Sequence, residues 1–269
     1  AAGAPAYEWL SDWPKLPAGR ELGFTHGGIA FDAAGRVYVE SDATEAVLVF
    51  DKGGELVDTL LAELADGLHG IAIAKEGEEE FLYVTHIRHG AVYKATLAGE
   101  ILWQVGYPLE SGLYEKPEQY HPTSIAVAPG GSFYVADGYG LSYVHHFDAE
   151  RRYLGSFGGH GPGAGQKKGE LRNPHGLWLD AERQELWVAD RENRRLQVFD
   201  LEGRPLFLVD QRTAGHDLGR PCFVEVRGDE LLVADIEGRV LVLSRRGELL
   251  AELGKNPDPA TRDRNDIPR

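Results

Sequence analysis

Two histidine-glycine pairs have the residue types and placing to do chemistry: His69 in "LHGIAIA" and His175 in "NPHGLWLD", each opening an apolar, strand-sized run. A neutral imidazole is a metal ligand or a proton acceptor at physiological pH. Catalytic zinc typically takes three protein ligands and leaves a fourth position open, so a histidine pair needs another donor. Cys222, His121 and His86 are the candidates for that third ligand, and a histidine from sequence outside the chain is an equal option. Tyr139 in "DGYG" and Arg191 in "ADREN" each follow a "VAD" run, where the chain must turn. A phenol, with a pKa of about 10 in water, acts as a base at neutral pH only where a cation lowers that value. A guanidinium there can grip a carboxylate with a two-pronged fork or stabilise developing negative charge. Each residue has a plainer role beside the chemical one: a channel histidine bonding its neighbours, or an arginine pairing with an adjacent unit's acid.

What brings positions 69 and 175 together is a repeat. The stretch 173–209 lines up with four others, 27–60, 68–105, 121–157 and 220–253. Each copy reads as four short runs, rich in β-branched and aromatic residues and separated by Gly, Asp and Asn turns. In the fourth copy the runs are 175–179, 185–190, 195–200 and 204–209. Segments such as "RLQVFD" and "RVYVES" alternate with a period of two, which excludes helical hairpins. Four antiparallel strands per unit make the blade of a β-propeller, and the innermost strands of all blades line one channel. Alignment sets Gly27, His69, Thr123, His175 and Cys222 at one ring position, so two histidines distant in sequence converge on the axis.

The layout is then an N-terminal segment, 1–23, whose "YEWLSDW" can supply a closing strand, followed by an all-β propeller over 24–254. Its blades are expected at about 24–61, 66–106, 121–157, 173–210 and 219–253, and residues 255–269, rich in Pro and Asn, form an irregular tail. Blades cannot bury both apolar faces alone, so the ring closes with five blades or with a sixth partly outside this chain.

Composition narrows the partners. With 42% apolar and 26% charged residues the chain has globular character, and its longest apolar runs are far too short to span a bilayer. A formal net charge of -15 argues against nucleic acid and for neutral or cationic small substrates. A single cysteine, Cys222, forms no internal disulfide and leaves the compartment open. The start "AAGAPAYEW" shows no signal peptide, and the chain has no methionine, as expected of a processed or trimmed N-terminus.

The pattern of an apolar run, a Gly turn, "VYV" or "VAD", an Arg/Asn turn and "QVFD" resembles the NHL repeat over about 24–253. Within NHL proteins, "FYVADGY", "NPHGLWLD" and "LWVADRENRRLQVFD" resemble the peptidyl-α-hydroxyglycine α-amidating lyase family. That resemblance implies a six-bladed propeller, of which five repeats are visible, with zinc in the central channel held by histidines opening alternate inner strands. It carries the metal ligands onto His69 and His175, the tyrosine onto Tyr139 and an arginine onto Arg191, and it allows a structural calcium. The family's third histidine belongs to the sixth blade, and its first-blade arginine is replaced here by "ESDATEA" with Glu40 and Asp42. The implied reaction splits a carbinolamide into an aldehyde and a primary amide, on a small-molecule or peptide substrate, in a secreted or periplasmic monomer away from membranes.

Two other functions compete: a non-catalytic NHL propeller binding a peptide or protein on its rim, and a lactonase-like hydrolase. The second requires Glu, Asn and Asp at the ring position, where none is found. The absence of G-x-S-x-G fits a reaction without a covalent nucleophile. The glycine-rich "GSFGGHGPGAGQKKGELRNP" precedes a strand, not a helix, and reads as a blade connection. The long aromatic insertion 107–120 is placed to overhang the channel mouth.

Overall fold

The computed structural model describes residues 7–254 apart from 9, 11, 24, 27, 43, 44, 163 and 164. The period-two runs become 20 strands in five four-stranded antiparallel sheets, each built from consecutive strands. In the fourth blade the strands are Pro174–Asp180, Glu185–Asp190, Arg195–Asp200 and Pro205–Val209, within a residue of the runs read from alternation. The innermost strands, Ile29–Phe31, Leu68–Glu76, Ser124–Val127, Pro174–Asp180 and Pro221–Arg227, lie side by side in that order around a common channel. The protein is an all-β, five-bladed propeller.

Blades stack through their apolar faces. Val224, Leu231 and Val233 of the fifth blade pack on Trp187, Ala189 and Val198 of the fourth, and Ile71, Leu82 and Val84 of the second pack on Tyr38, Val47 and Val49 of the first. Blade count departs from the six implied by resemblance: the described residues form five sheets, and no comparable contact joins the innermost strands of the fifth and first blades. Nor does "YEWLSDW" form a closing strand among the described residues. Two residues past it, Lys15 makes a parallel bridge with Glu55. The N-terminal segment instead lays Trp13, Leu16 and Leu22 over Val37, Val39, Leu48 and Phe50, the face of the first blade turned away from the second. Trp13 and Phe50 meet with ring centroids 5.8 Å apart.

The insertion 107–120 folds as two short 3-10 turns, Leu109–Ser111 and Pro117–Gln119. No helix among the described residues is long and apolar enough to cross a membrane.

Candidate active site

At the ring position the inner strands are irregular. Strand pairing slips between Leu68 and Gly70, between Pro174 and Leu177, and between Pro221 and Phe223. His69, His175 and Cys222 therefore sit on bulges, which turn side chains out of the sheet's alternation. The glycine after each histidine is explained by the next blade. A β-carbon on Gly70 would lie 2.6 Å from the Thr123 carbonyl oxygen, and one on Gly176 would lie 2.5 Å from that of Cys222. Those same carbonyls accept the imidazole Nδ1 protons: His69 Nδ1 lies 2.8 Å from Thr123 O, and His175 Nδ1 lies 3.0 Å from Cys222 O.

A carbonyl oxygen only accepts, so both Nδ1 atoms carry hydrogen and both Nε2 atoms present lone pairs. Both lone pairs turn to one atom. The Tyr139 hydroxyl oxygen lies 3.0 Å from His69 Nε2 and 3.0 Å from His175 Nε2. The phenol has a single proton, so one of the two acceptors is left over. Protonating an imidazole does not resolve this, because burial and then the neighbouring His26 and Arg191 push His69 down to about 3. Burial, His69 and Arg191 likewise hold His175 well below its usual value. The pair is neutral at physiological pH.

Arg191 is buried beside them. Its Nη1 approaches the Tyr139 hydroxyl at 3.5 Å, and its guanidinium lies 5.4 Å from the centre of the tyrosine ring. Its Nε donates to the adjacent Glu192 at 3.2 Å, which Arg220 also holds. The expected pairing of Arg191 with a neighbouring blade's acid is thus replaced by this local one. Arg195 with Asp190 and Arg239 with Asp235, each at 2.7 Å, brace neighbouring strands within one blade, and Arg245 of the fifth blade reaches Asp180 of the fourth at 2.9 Å. Tyr139 itself is 38% exposed, on a turn fixed from below: Asp137 accepts the His121 and Leu141 backbone N–H groups at 2.7 and 2.6 Å.

Of the three candidates for a further metal ligand, His121 and His86 make contacts elsewhere, and Cys222 borders the same space as the pair. His121 points Nδ1 at the Ile87 carbonyl, 3.0 Å away. His86 accepts the His89 N–H at 3.1 Å and stacks on the His89 ring at 3.7 Å. Cys222 is half-buried on the wall that His69 and His175 share, with its sulfur 3.7 Å from the Arg220 carbonyl oxygen. Among the described residues no three His, Cys, Asp or Glu side chains converge on a metal-sized site. His26, which alignment sets one residue off the ring position and so favours for a bland role, comes to the site: its ring stacks on His69 with centroids 4.8 Å apart. The available signal was "THGG", a His-Gly pair one residue ahead of the aligned ring position. His26, His69, His175, Thr123 and Cys222 border a space of about 10 Å³, room for roughly one water or ion.

Fold and ring define a propeller of NHL type. The NHL repeat family model matches residues 171–199, the stretch that carries His175 and Arg191. The chain is 32% identical over 136 residues to peptidyl-glycine alpha-amidating monooxygenase A of Xenopus laevis, covering 50% of this chain and 14% of that protein. It is 27% identical over 226 residues to a Caenorhabditis elegans protein named as a peptidyl-alpha-hydroxyglycine alpha-amidating lyase, covering 76% and 62%. NHL repeat-containing protein 3 of Mus musculus is 30% identical over 233 residues, covering 81% and 62%. The chain thus spans less than two thirds of each of these relatives. In fold it is similar to a streptogramin B lyase, with a TM-score of 0.63 at 15% identity over 89% of this chain and 73% of that one.

Proposed function

We propose that the chain is a zinc-dependent lyase that breaks the C–N bond of a carbinolamide such as a peptidyl-α-hydroxyglycine. One observation carries this reading: two neutral imidazoles aim their lone pairs at one phenol oxygen that has a single proton for both. A cation relieves that shortage, and the donor set suits zinc. His69 and His175 would hold the ion through Nε2, and the Thr123 and Cys222 carbonyls on Nδ1 are the outer-shell acceptors that orient such ligands. Bound there, the ion supplies Lewis acidity toward the substrate hydroxyl.

The chain's own residues do the rest. Tyr139 would act as a phenolate, its own proton released to solvent and its charge stabilised by Arg191 beside it; its oxygen then accepts the substrate hydroxyl proton and becomes the phenol. The electron pair released on the carbinol oxygen forms the aldehyde C=O as the C–N pair departs with nitrogen. Tyr139 returns its proton to that nitrogen, so the products are an aldehyde and a primary amide. His26, stacked on His69, limits access to the imidazole pair from the first blade.

The competing reading is a binding-only propeller, and the lack of a third His, Cys, Asp or Glu ligand among the described residues favours it. Zinc titration of metal-stripped protein, read by elemental analysis, and assay of a peptidyl-α-hydroxyglycine for amide release separate the two. The lyase reading expects one tightly held zinc and turnover, both lost in His69→Ala and His175→Ala. Absence of stoichiometric zinc together with absence of turnover leaves the binding reading.

A further inference from the structure

The histidine ring occupies one end of the channel; the other end is a separate apolar chamber. It has a volume of about 400 Å³ and is lined by residues 29–31, 71–73, 125–127 and 177–179, with Phe223 and Glu225. In four blades these are the positions two to four residues beyond the ring, so at about 3.3 Å per residue the chamber starts roughly 7 Å below the imidazoles. Ile71 and Phe223 alone border both this chamber and the water-sized space at the histidines, which narrows the channel between them. The repeat builds the chamber: after the ring residue four inner strands turn apolar, the fifth adds Phe223 and Glu225, and all five blades line one void. Ile29 and Phe31 remain 48% and 54% exposed on its wall, although Ala30 between them is buried in the core.

Size and lining suit a ligand of ordinary small-molecule dimensions with an apolar body. Charge selects among such ligands. Glu225 is the one ionisable side chain in the wall, paired with Arg227 at 2.8 Å. The turns joining first to second strands encircle this mouth. With their flanking residues, 32–36, 75–80, 128–132, 180–185 and 227–230, they carry ten carboxylates and four cationic side chains. Lys94 and Arg245 reach in to pair with Glu76 and Asp180, which still leaves the rim acidic. Glu78 and Asp229 stand 98% and 91% exposed there.

We propose that this chamber is a second ligand site, distinct from the histidine site, for cationic amphiphiles whose apolar chain fills the channel while the positive group stays at the acidic rim. Decyltrimethylammonium, kept below its micelle concentration, is the probe. Its binding is measured by calorimetry and by the fluorescence of Trp178, which lines the chamber, with decyl sulfate as the charge-reversed control. The expected result is saturable binding at one site, about tenfold or more tighter than decyl sulfate at low salt and converging with it as salt rises. Ala72→Trp fills the wall and Phe31→Lys puts a like charge into the chamber; each is expected to weaken binding about tenfold. Phe31 is more than half exposed, so that variant tests the site even where Ala72→Trp fails to fold. Glu225→Gln is expected to reduce the preference for the cation. Non-saturable binding, equal or reversed charge preference, or unchanged affinity in a folded Phe31→Lys protein overturns the proposal.

Discussion

Gly70 and Gly176 show how a one-atom constraint orients a functional side chain. Neither has room for a β-carbon, because the next blade's backbone carbonyl stands there and holds the preceding imidazole. Gly176→Ala is expected to push the Cys222 carbonyl away, let the His175 ring turn, and weaken zinc binding about 10- to 100-fold, as loss of outer-shell support does. Calorimetric titration of folded variant and parent checks this. His145 supports a second residue-level expectation. It is fully buried, and burial pushes its pKa down to about 3. A depressed histidine pKa means that the unfolded chain binds a proton that the folded chain refuses. Its contribution to stability is complete above pH ~6.5 and is lost progressively as pH falls toward 3. The midpoint of thermal unfolding is expected to fall less steeply from pH 7 to 4.5 in His145→Gln than in the parent, whatever the offset between them.

Between residues and ring stand elements that the repeat pattern does not describe. The insertion 107–120 is tied into the third blade by Tyr114, which donates to Asp137 at 2.7 Å and lies 2.6 Å from His145 Nε2. His145 Nδ1 in turn meets Ser156 Oγ at 2.7 Å. Asp137 leads into the Tyr139 turn, so this chain of bonds joins the insertion to the site. Tyr114→Phe removes one of the donors to the buried Asp137 carboxylate and leaves the buried His145 Nε2 without its hydroxyl partner, at a cost of about 1–3 kcal/mol measured by urea unfolding. The N-terminal segment has an analogous role on the first blade. Trp13→Ala uncovers Phe50 and Leu48, and a loss of about 2 kcal/mol with raised binding of apolar dyes is expected. Strand positions were legible from alternation, because period two maps directly onto pleat. The bulges at His69 and His175 were not, since a slip in pairing is a relation between two strands.

As a whole the molecule is a sequence of nearest-neighbour interfaces. The first blade is covered by the N-terminal segment and the third and fourth by blades on both sides. The fifth keeps Leu232, Ala234 and Val240 half-buried on its outer face and Ile236 51% exposed. Local opening is therefore expected to be easiest at the chain's last blade, and amide exchange of 221–253 should outpace that of 124–200. Uniform protection across blades contradicts this.

The sequence by itself determined the all-β blades, five visible repeats of them, and the alignment of His69 with His175, because each rests on local period and repetition; it left open whether a sixth blade belongs to the ring. Tyr139 and Arg191 were legible as rim residues because they follow a repeated strand. Only the tertiary structure decided that the two imidazoles face one phenol oxygen, that His26 stacks beside them and that His121 and His86 make their contacts elsewhere. Those outcomes depend on which blade's carbonyl meets which ring nitrogen, and on burial, quantities that exist only once distant blades are packed together.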